Sequence, residues 1–253
     1  MDSYPEIPRI SGDKVISVPQ NILRKLINRT SFAVAIDESR PILTGCLMEL
    51  TQDNIRFVAL DGYRVAIADA PFSTNTEKNV VIPGKALNEI AKILAEDDTL
   101  IDVCIQEKHV LFDLGHTQIT SRLLEGDFIK YKNVLPVEFA SSIIINRKAL
   151  EDSIERASLI ARENKANFIV MSIRENILVI TSKSETSQAH EEIPITLTGN
   201  ELEIAFNSKF FSDCLREIDN EFIKISFNTN LSPCVVKPSE GEEFLYLILP
   251  IRM

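Results

Sequence analysis

An internal repeat is the feature that most constrains how this 253-residue chain can fold. Apolar positions of a predicted helix in the first half recur 127 residues later in a second one: Leu23, Ile27 and Thr30 are followed by Leu150, Ile154 and Ala157. Two further matches follow at offsets of 122 and 124 residues: 53–55 with 175–177, and 82–87 with 206–211. A long-period match of this kind is typical of duplicated structural units. We therefore predict two similar units.

Each unit has the pattern strand, helix, strands, helix, strands. The helix near Pro83, for example, has apolar residues with i, i+3, i+4, i+7 spacing at Leu87, Ile90, Ala91 and Leu94. Adjacent strands interrupted by single helices indicate antiparallel sheets with helices packed on one face, an α+β arrangement. We predict an α+β fold with two helices per domain, divided into a linker at 1–13, a domain at 14–136 and a domain at 137–253.

The strand and helix predictions follow apolar periodicity and turn residues. After Pro19 we expect a helix with one apolar and one basic face. Further helices are predicted at Arg147 to Ile160 and from Phe206 to Ile218. The predicted strands are Val15 to Val18, Ile42 to Leu50, Asn54 to Ala68, Leu100 to Gln106, His109 to Leu114, Gln118 to Leu124, Ser142 to Ile145, Ile223 to Asn228, Cys234 to Lys237 and Phe244 to Leu249.

The charge balance has two interpretations. Lys and Arg number 27 against 37 Asp and Glu, and a net charge of −10 by itself argues against a nucleic-acid binder. The exposed helix faces of the first unit nevertheless collect basic residues, and the distribution of charge decides whether a phosphate backbone is attracted to one face. Ordinary solvation of a helix and contact with phosphates are evenly balanced explanations. The basic residues are Arg24, Lys25, Arg29, Lys85 and Lys92.

The four cysteines are far apart and have no histidine cluster nearby, so neither a disulfide framework nor a zinc site is predicted. We interpret them as small buried residues of a reducing compartment. Neither a signal segment nor an apolar run long enough to cross a membrane is present in the sequence. A cytoplasmic protein without cofactor or metal is the expectation.

Signatures of catalysis are also absent from the sequence, which contains no phosphate-binding loop, dinucleotide turn, zinc-protease helix or nucleophile elbow. His109 and His116 flank a predicted hairpin, and we place His190 in a polar loop. None of them is expected to be a ligand or a base. A small-molecule or hydrolytic enzyme built on the duplicated units is the rival hypothesis, which the absent motifs disfavour.

The last ten residues are strongly apolar, although chain ends are usually poorly ordered unless something holds them. Pro250 cannot donate to a central sheet ladder. Phe244 to Leu249 is therefore predicted as a strand and Ile251 to Met253 as a short surface tail. A core strand with a frayed end and a docking surface both fit this run.

Three motifs carry a family resemblance: Leu60 to Ala66, with an Asp-Gly turn signal inside a strand pattern, Val81 to Leu87, and Leu249 to Met253. Together they resemble the bacterial sliding clamp, the beta subunit of DNA polymerase III, in order and spacing. The segment from Glu125 to Pro136 also resembles the crossing from that family's second to its third domain. The resemblance covers essentially all of Lys14 to Met253.

The resemblance implies a non-enzymatic processivity factor that surrounds duplex DNA. A family member has three such domains, and two chains form a ring as a homodimer by joining the first domain of one to the third of the other. This chain resembles the second and third domains, with Asp2 to Ile10 similar to the end of the first domain or the linker after it. We therefore expect a monomer or a weakly associated chain, with closure as a trimer as the alternative.

The resemblance also implies two sites. A pocket between the domains would dock short peptides of the polymerase III catalytic subunit, the clamp loader and repair proteins, and the other face would contact DNA phosphates regardless of sequence. The implied pocket residues are Leu43, Leu60, Gly62, Tyr63, Arg64, Val65, Ile129, Asn133, Val134, Pro233, Leu247, Ile248, Leu249, Pro250, Ile251, Arg252 and Met253. The implied DNA-facing residues are Arg24, Lys25, Arg29, Lys85, Lys92, Arg147, Lys148, Lys209 and Arg216.

Overall fold

The computed structural model describes residues 16–162 and 167–252. Met253 and the predicted linker at 1–13 lie outside this described part of the chain, as do Lys14 and Val15. Within it, sixteen strands and four α-helices alternate in the order that the repeat predicts.

The first unit opens with a strand and a helix, and its second helix follows four more strands. Its elements are β1 (Ile16–Pro19), α1 (Gln20–Ser31), a turn of 3-10 helix (Pro41–Thr44), β2 (Gly45–Leu50), β3 (Asn54–Leu60), β4 (Arg64–Pro71), β5 (Lys78–Pro83), α2 (Gly84–Ile93), β6 (Leu100–Ile105), β7 (His109–Asp113) and β8 (Gln118–Arg122).

A connecting segment with a 3-10 turn (Tyr131–Val134) leads to the second unit, which repeats the order of the first. Its elements are β9 (Ser141–Asn146), α3 (Arg147–Ala161), β10 (Phe168–Arg174), β11 (Ile177–Lys183), β12 (Gln188–Gly199), β13 (Leu202–Asn207), α4 (Ser208–Leu215), β14 (Phe222–Phe227), β15 (Cys234–Pro238) and β16 (Phe244–Ile248).

Every described strand pairing is antiparallel. One sheet has the order β1-β6-β7-β8, and a twelve-stranded sheet has the order β13-β10-β11-β12-β9-β14-β15-β16-β4-β3-β2-β5. The two units meet where β16 pairs with β4, with Phe244 opposite Ala68 and Ile248 opposite Arg64. The α+β fold with two helices per unit is confirmed.

Two sequence predictions are wrong in detail. The single strand expected at Asn54 to Ala68 is the hairpin of β3 and β4, because Gly62 adopts a φ of +95° in the turn and the chain reverses there. His190 lies in the long strand β12 rather than in a loop, and its ring contacts Glu192 on the exposed side of that strand. Many residues of β12 are polar, so a search for apolar runs does not detect this strand.

The main core lies between the sheets and the helices. In β2, β3 and β4 every second residue faces it, as Met48, Phe57 and Ala66 do, and the apolar faces of all four helices complete it. Five of the residues in between are also apolar and buried, and they form a second apolar cluster on the other face of the sheet at the junction of the units: Leu47, Val58, Leu60, Val65 and Ile67.

Candidate functional site

The second apolar cluster contains a row of side chains that crosses the boundary between the two units. Leu60 on β3 lies opposite Val65 on β4, Val65 opposite Leu247 on β16, and Leu247 opposite Val235 on β15. Directly opposed residues on one face of an antiparallel sheet contact each other. We call these four buried residues the groove floor. Half of the floor belongs to each unit, so it exists only when both are joined.

A second row lies beside the floor and is formed by Val81, Leu47, Val58, Ile67 and Leu245. Leu43 and Tyr131 complete the cluster from the two 3-10 turns. The Tyr131 hydroxyl donates to Glu49 Oε2 at 2.6 Å, and burial raises the pKa of this phenol to about 12. The hydroxyl therefore stays protonated and ties the connecting segment to the sheet.

Exposed apolar side chains stand at the edges of the floor. Tyr63 is 63% exposed and Val134 52%, and Leu249 is also exposed. The Tyr63 ring stacks on Phe210 of α4 with 6.0 Å between the ring centroids. Exposed apolar residues next to a buried apolar row at a domain boundary are typical of surfaces on which other proteins dock.

The backbone at the end of the chain is fixed on both sides. The Leu249 amide donates to the Tyr63 carbonyl at 2.9 Å, and the Ile251 amide donates to the Ala205 carbonyl of β13 at 2.8 Å. The first unit has the same arrangement, with the Leu124 amide bonded to the Val81 carbonyl. The apolar tail is therefore part of the repeated fold, while Arg252 is exposed beyond it.

The predicted pocket residues are distributed unevenly over these surfaces. Leu43, Leu60, Val65 and Leu247 lie in the second cluster, and Pro250 and Ile251 are partly buried in the tail. The assignment of Ile248 to the docking wall is wrong, because its side chain points away from the floor into the main core.

Arg64 likewise points to the helix side and is 7% exposed. Its guanidinium donates to Asp61 Oδ2 at 3.0 Å, to Asp213 Oδ2 at 2.8 Å and to the Phe32 carbonyl at 2.7 Å. The Asp61 carboxylate also accepts from the Tyr63 amide, which closes the turn. Arg64 therefore contributes its backbone to the groove, and its side chain holds the turn from the other face.

A cavity of about 700 Å³ is next to the floor rather than over it. Residues 123–133 cover it against β2 and β5, and Ile129 and Asn133 line it with Phe128. Among the described residues of the predicted pocket, Ile129 and Asn133 alone line this cavity. Pro233 precedes β15 and is half-buried.

The predicted DNA-facing residues lie on the helices. Arg24, Lys85 and Lys92 surround a shallow groove between α1 and α2. Lys25 and Arg216 line a cleft between α1 and the segment after α4, together with Glu217 and Asp219.

Most of these cations have acidic partners. Lys25 contacts Asp219 at 3.0 Å, and Arg216 approaches Glu155 to 3.9 Å. The other contacts are Arg24 with Glu96, Lys92 with Glu89, Arg147 with Glu151, Lys148 with Asp152 and Lys209 with Asp213.

Arg29 lies deeper than the other predicted DNA-facing residues. Its side chain is buried, lies 5.3 Å from the ring centroid of Phe244 and approaches Asp219 to 3.7 Å. Arg29 also lines the cleft that Lys25 and Arg216 line, and its place in the DNA-facing set stays a prediction.

Comparisons with known proteins identify the family. A family model of the DNA polymerase III beta subunit, central domain, matches residues 17–130, and one of its C-terminal domain matches residues 132–252. The beta sliding clamp of Halalkalibacterium halodurans is 37% identical over 258 residues, covering 99% of this chain and 68% of the relative. The chain belongs to the beta sliding clamp family. Its predicted role as a non-enzymatic processivity factor of DNA replication is confirmed by that membership.

Solved clamp structures agree with the fold throughout. The DNA polymerase sliding clamp from Bacillus subtilis superposes with a TM-score of 0.95 at 35% identity, covering 100% of this chain and 68% of that chain. A putative DNA polymerase III beta subunit from Eubacterium rectale gives 0.94 at 32% identity, covering 99% and 68%. The chain thus corresponds to about two thirds of each clamp.

Within residues 16–162 and 167–252 there is no group of three His, Cys, Asp or Glu side chains that could hold a metal ion. The helices in the same ranges are too short or too polar to cross a bilayer.

Sequence patterns did not identify Tyr131, Phe210 or Asp213 as residues around the groove. The one signal in the sequence was the uninterrupted apolar run within β3 and within β4. A strand that is apolar on both sides is covered on both faces of its sheet.

Proposed function

We propose that the groove at the junction of the two domains docks short apolar peptides of the replicative polymerase, the clamp loader and repair proteins. The observation that carries this proposal is the groove floor, in which Leu60, Val65, Leu247 and Val235 follow one another across four strands of both domains. A rigid apolar floor with a few exposed anchors at its edge concentrates binding energy in a small area.

The groove can contribute both apolar and polar contacts. A Leu or Phe side chain of the peptide would lie on the floor between Tyr63 and Val134, the exposed residues at its edges. Gly62 has no side chain and no other atoms within 4 Å of the position that a Cβ would occupy, so its turn offers main-chain groups for the polar end of the peptide. Ile129, Asn133 and Pro233 would influence which residues the peptide carries on either side.

We also propose that the helix faces contact duplex DNA through phosphates, in a cytoplasmic replication complex. Lys85 and Lys92 are exposed beside Arg24, and such contacts are independent of sequence and weaken as salt rises. Most of the helix cations are paired with carboxylates, so the attraction is weak, as a protein that slides along DNA requires.

Fluorescence anisotropy with a labelled peptide of the Gln-Leu-x-Leu-Phe type tests the docking proposal. We expect binding by the full chain and its loss when Pro250 to Met253 is deleted. Val134→Ser should weaken binding about tenfold through loss of an apolar edge, whereas Val137→Ser, a change at a 93% exposed valine three residues away, should not. Absence of binding by the unaltered chain refutes the proposal.

The assembly state is a separate proposal. We propose that the 28.5 kDa chain is a monomer or associates weakly, unless another chain completes a ring. Light scattering at micromolar concentration should give the monomer mass. A stable closed dimer or trimer would contradict it.

A further inference from the structure

The side chain of Arg64 joins the two domains on the side of the sheet opposite the groove floor. Its guanidinium carbon lies 5.3 Å from the ring centroid of Phe32, which follows α1, and 4.8 Å from that of Phe210 in α4. The planar group thus contacts an aromatic ring from each domain while donating to three oxygens. Arginine is suited to such a site because its donors are fixed in one plane.

Asp213 provides the only carboxylate from the second domain among these three oxygens. Its side chain is 14% exposed and accepts from Arg64 Nη1 through Oδ2 at 2.8 Å. The same Oδ2 accepts from Lys209 Nζ, one helical turn earlier in α4. Lys209 is 57% exposed, so one carboxylate oxygen is shared between a buried and an exposed cation.

We propose that Asp213 is a positioning residue for the docking groove and that Lys209 moderates its action. This inference rests on the proposed docking function. Asp213 holds Arg64, and through it the turn at 61–64, against the second domain. The Tyr63 carbonyl in that turn accepts from the Leu249 amide at the end of the β4–β16 ladder, so a turn that is held in place also fixes Leu249 at the edge of the groove.

Lys209 partly neutralises the negative charge of Asp213 that attracts Arg64, because both cations donate to the same carboxylate oxygen. Removal of the Lys209 charge should therefore strengthen the contact between Arg64 and Asp213. The exposed position of Lys209 is on a helix that we propose to face DNA. A phosphate that draws Lys209 away would have the same effect, so that DNA and peptide would favour each other's binding.

Peptide affinity of substituted chains tests the inference by anisotropy. We expect Asp213→Asn to raise the Kd about tenfold, since a neutral amide holds a buried guanidinium poorly. We expect Lys209→Met to lower the Kd about twofold. Arg156 of α3 and Glu191 of β12 supply matched controls, because an equally exposed cation there contacts a mostly buried carboxylate. Glu191→Gln and Arg156→Met should leave the Kd unchanged.

The double variant separates positioning from a general loosening of α4. If Lys209 acts through Asp213, Lys209→Met should have no effect on the Kd once Asp213→Asn is present. Persistence of the twofold gain in that background, or unchanged binding by Asp213→Asn, overturns the inference. Should Asp213→Asn lose its native circular dichroism, unchanged binding by Lys209→Met alone overturns it.

The two proposals fail in different ways. An unaltered chain that does not bind peptide refutes the docking function and this inference with it. Normal binding by the unaltered chain, with Asp213→Asn equally tight, refutes only the role of Asp213.

Discussion

Leu247→Ala is the substitution that most sharply separates docking from stability. Leu247 is buried in the groove floor, opposite Val65 of one domain and Val235 of its own. Truncation of a buried leucine costs roughly 3 kcal/mol of unfolding free energy through lost burial and the cavity left behind. The same truncation should also remove carbon groups on which a docked peptide side chain rests.

The loss of peptide affinity can be estimated from those groups. The substitution removes three carbons, and if one or two of them contact the peptide, about 0.8 kcal/mol each gives roughly 0.8 to 1.6 kcal/mol. The Kd should then rise between about fourfold and fifteenfold. Anisotropy with the labelled peptide measures it, and urea unfolding measures the stability of the same samples.

Leu178→Ala is the matched control. Leu178 is equally buried in the main core, on β11 of the second domain, and takes no part in the floor. It should lose about as much stability, roughly 3 kcal/mol, and bind peptide as the unaltered chain does. Unchanged affinity of Leu247→Ala, or an equal loss in both variants, would refute the assignment of the floor.

Three other predictions concern the helix faces and buried groups. Lys85→Ala should reduce the slope of log K for duplex binding against log salt concentration by about one. Lys108→Ala, on the hairpin after β6, should leave this slope unchanged. Equal slopes for the two variants would contradict the proposed DNA face. Burial and neighbouring Asp219 raise the pKa of Glu217, so ionisation of this carboxyl destabilises the fold as pH rises above the usual pKa of 4.5. In urea titrations, Glu217→Gln should therefore stabilise the chain at about pH 7.5 but not near pH 4. An equal gain in stability at both pH values would contradict this prediction. Burial raises the pKa of the Cys46 thiol to about 12 and also raises those of Cys214 and Cys234, so a thiol reagent should label the native chain slowly and the urea-unfolded chain at once.

The repeat made much of the fold predictable. Apolar spacing located all four helices, because each needs one face for the core, and the Asp-Gly pair signalled the turn at Gly62. Strand β12 was missed because its alternation is mostly polar. The pairing of β16 with β4 joins residues far apart in the chain, such as Leu247 and Val65, which are 182 positions apart, and no local pattern encodes such a register.

The site was predictable only in part. Floor residues such as Leu60 and Leu247 were identified through the family motifs, but the sequence does not show which side of a strand faces the groove when both sides are apolar. That is why Ile248 was assigned to a wall and lies in the core. Arg29 is more deeply buried than a basic residue of an amphipathic helix usually is, because Phe244 of the second domain packs against its guanidinium.

Methyl NMR of the chain with labelled Leu, Val and Ile side chains tests the proposed docking groove most directly. On addition of the unlabelled peptide, the account predicts shifts concentrated at Leu60, Val65, Val134, Leu247 and Leu249, which surround the junction of the two domains. Shifts confined to the neighbouring cavity, at Leu124 and Ile129 with the floor unchanged, would contradict it.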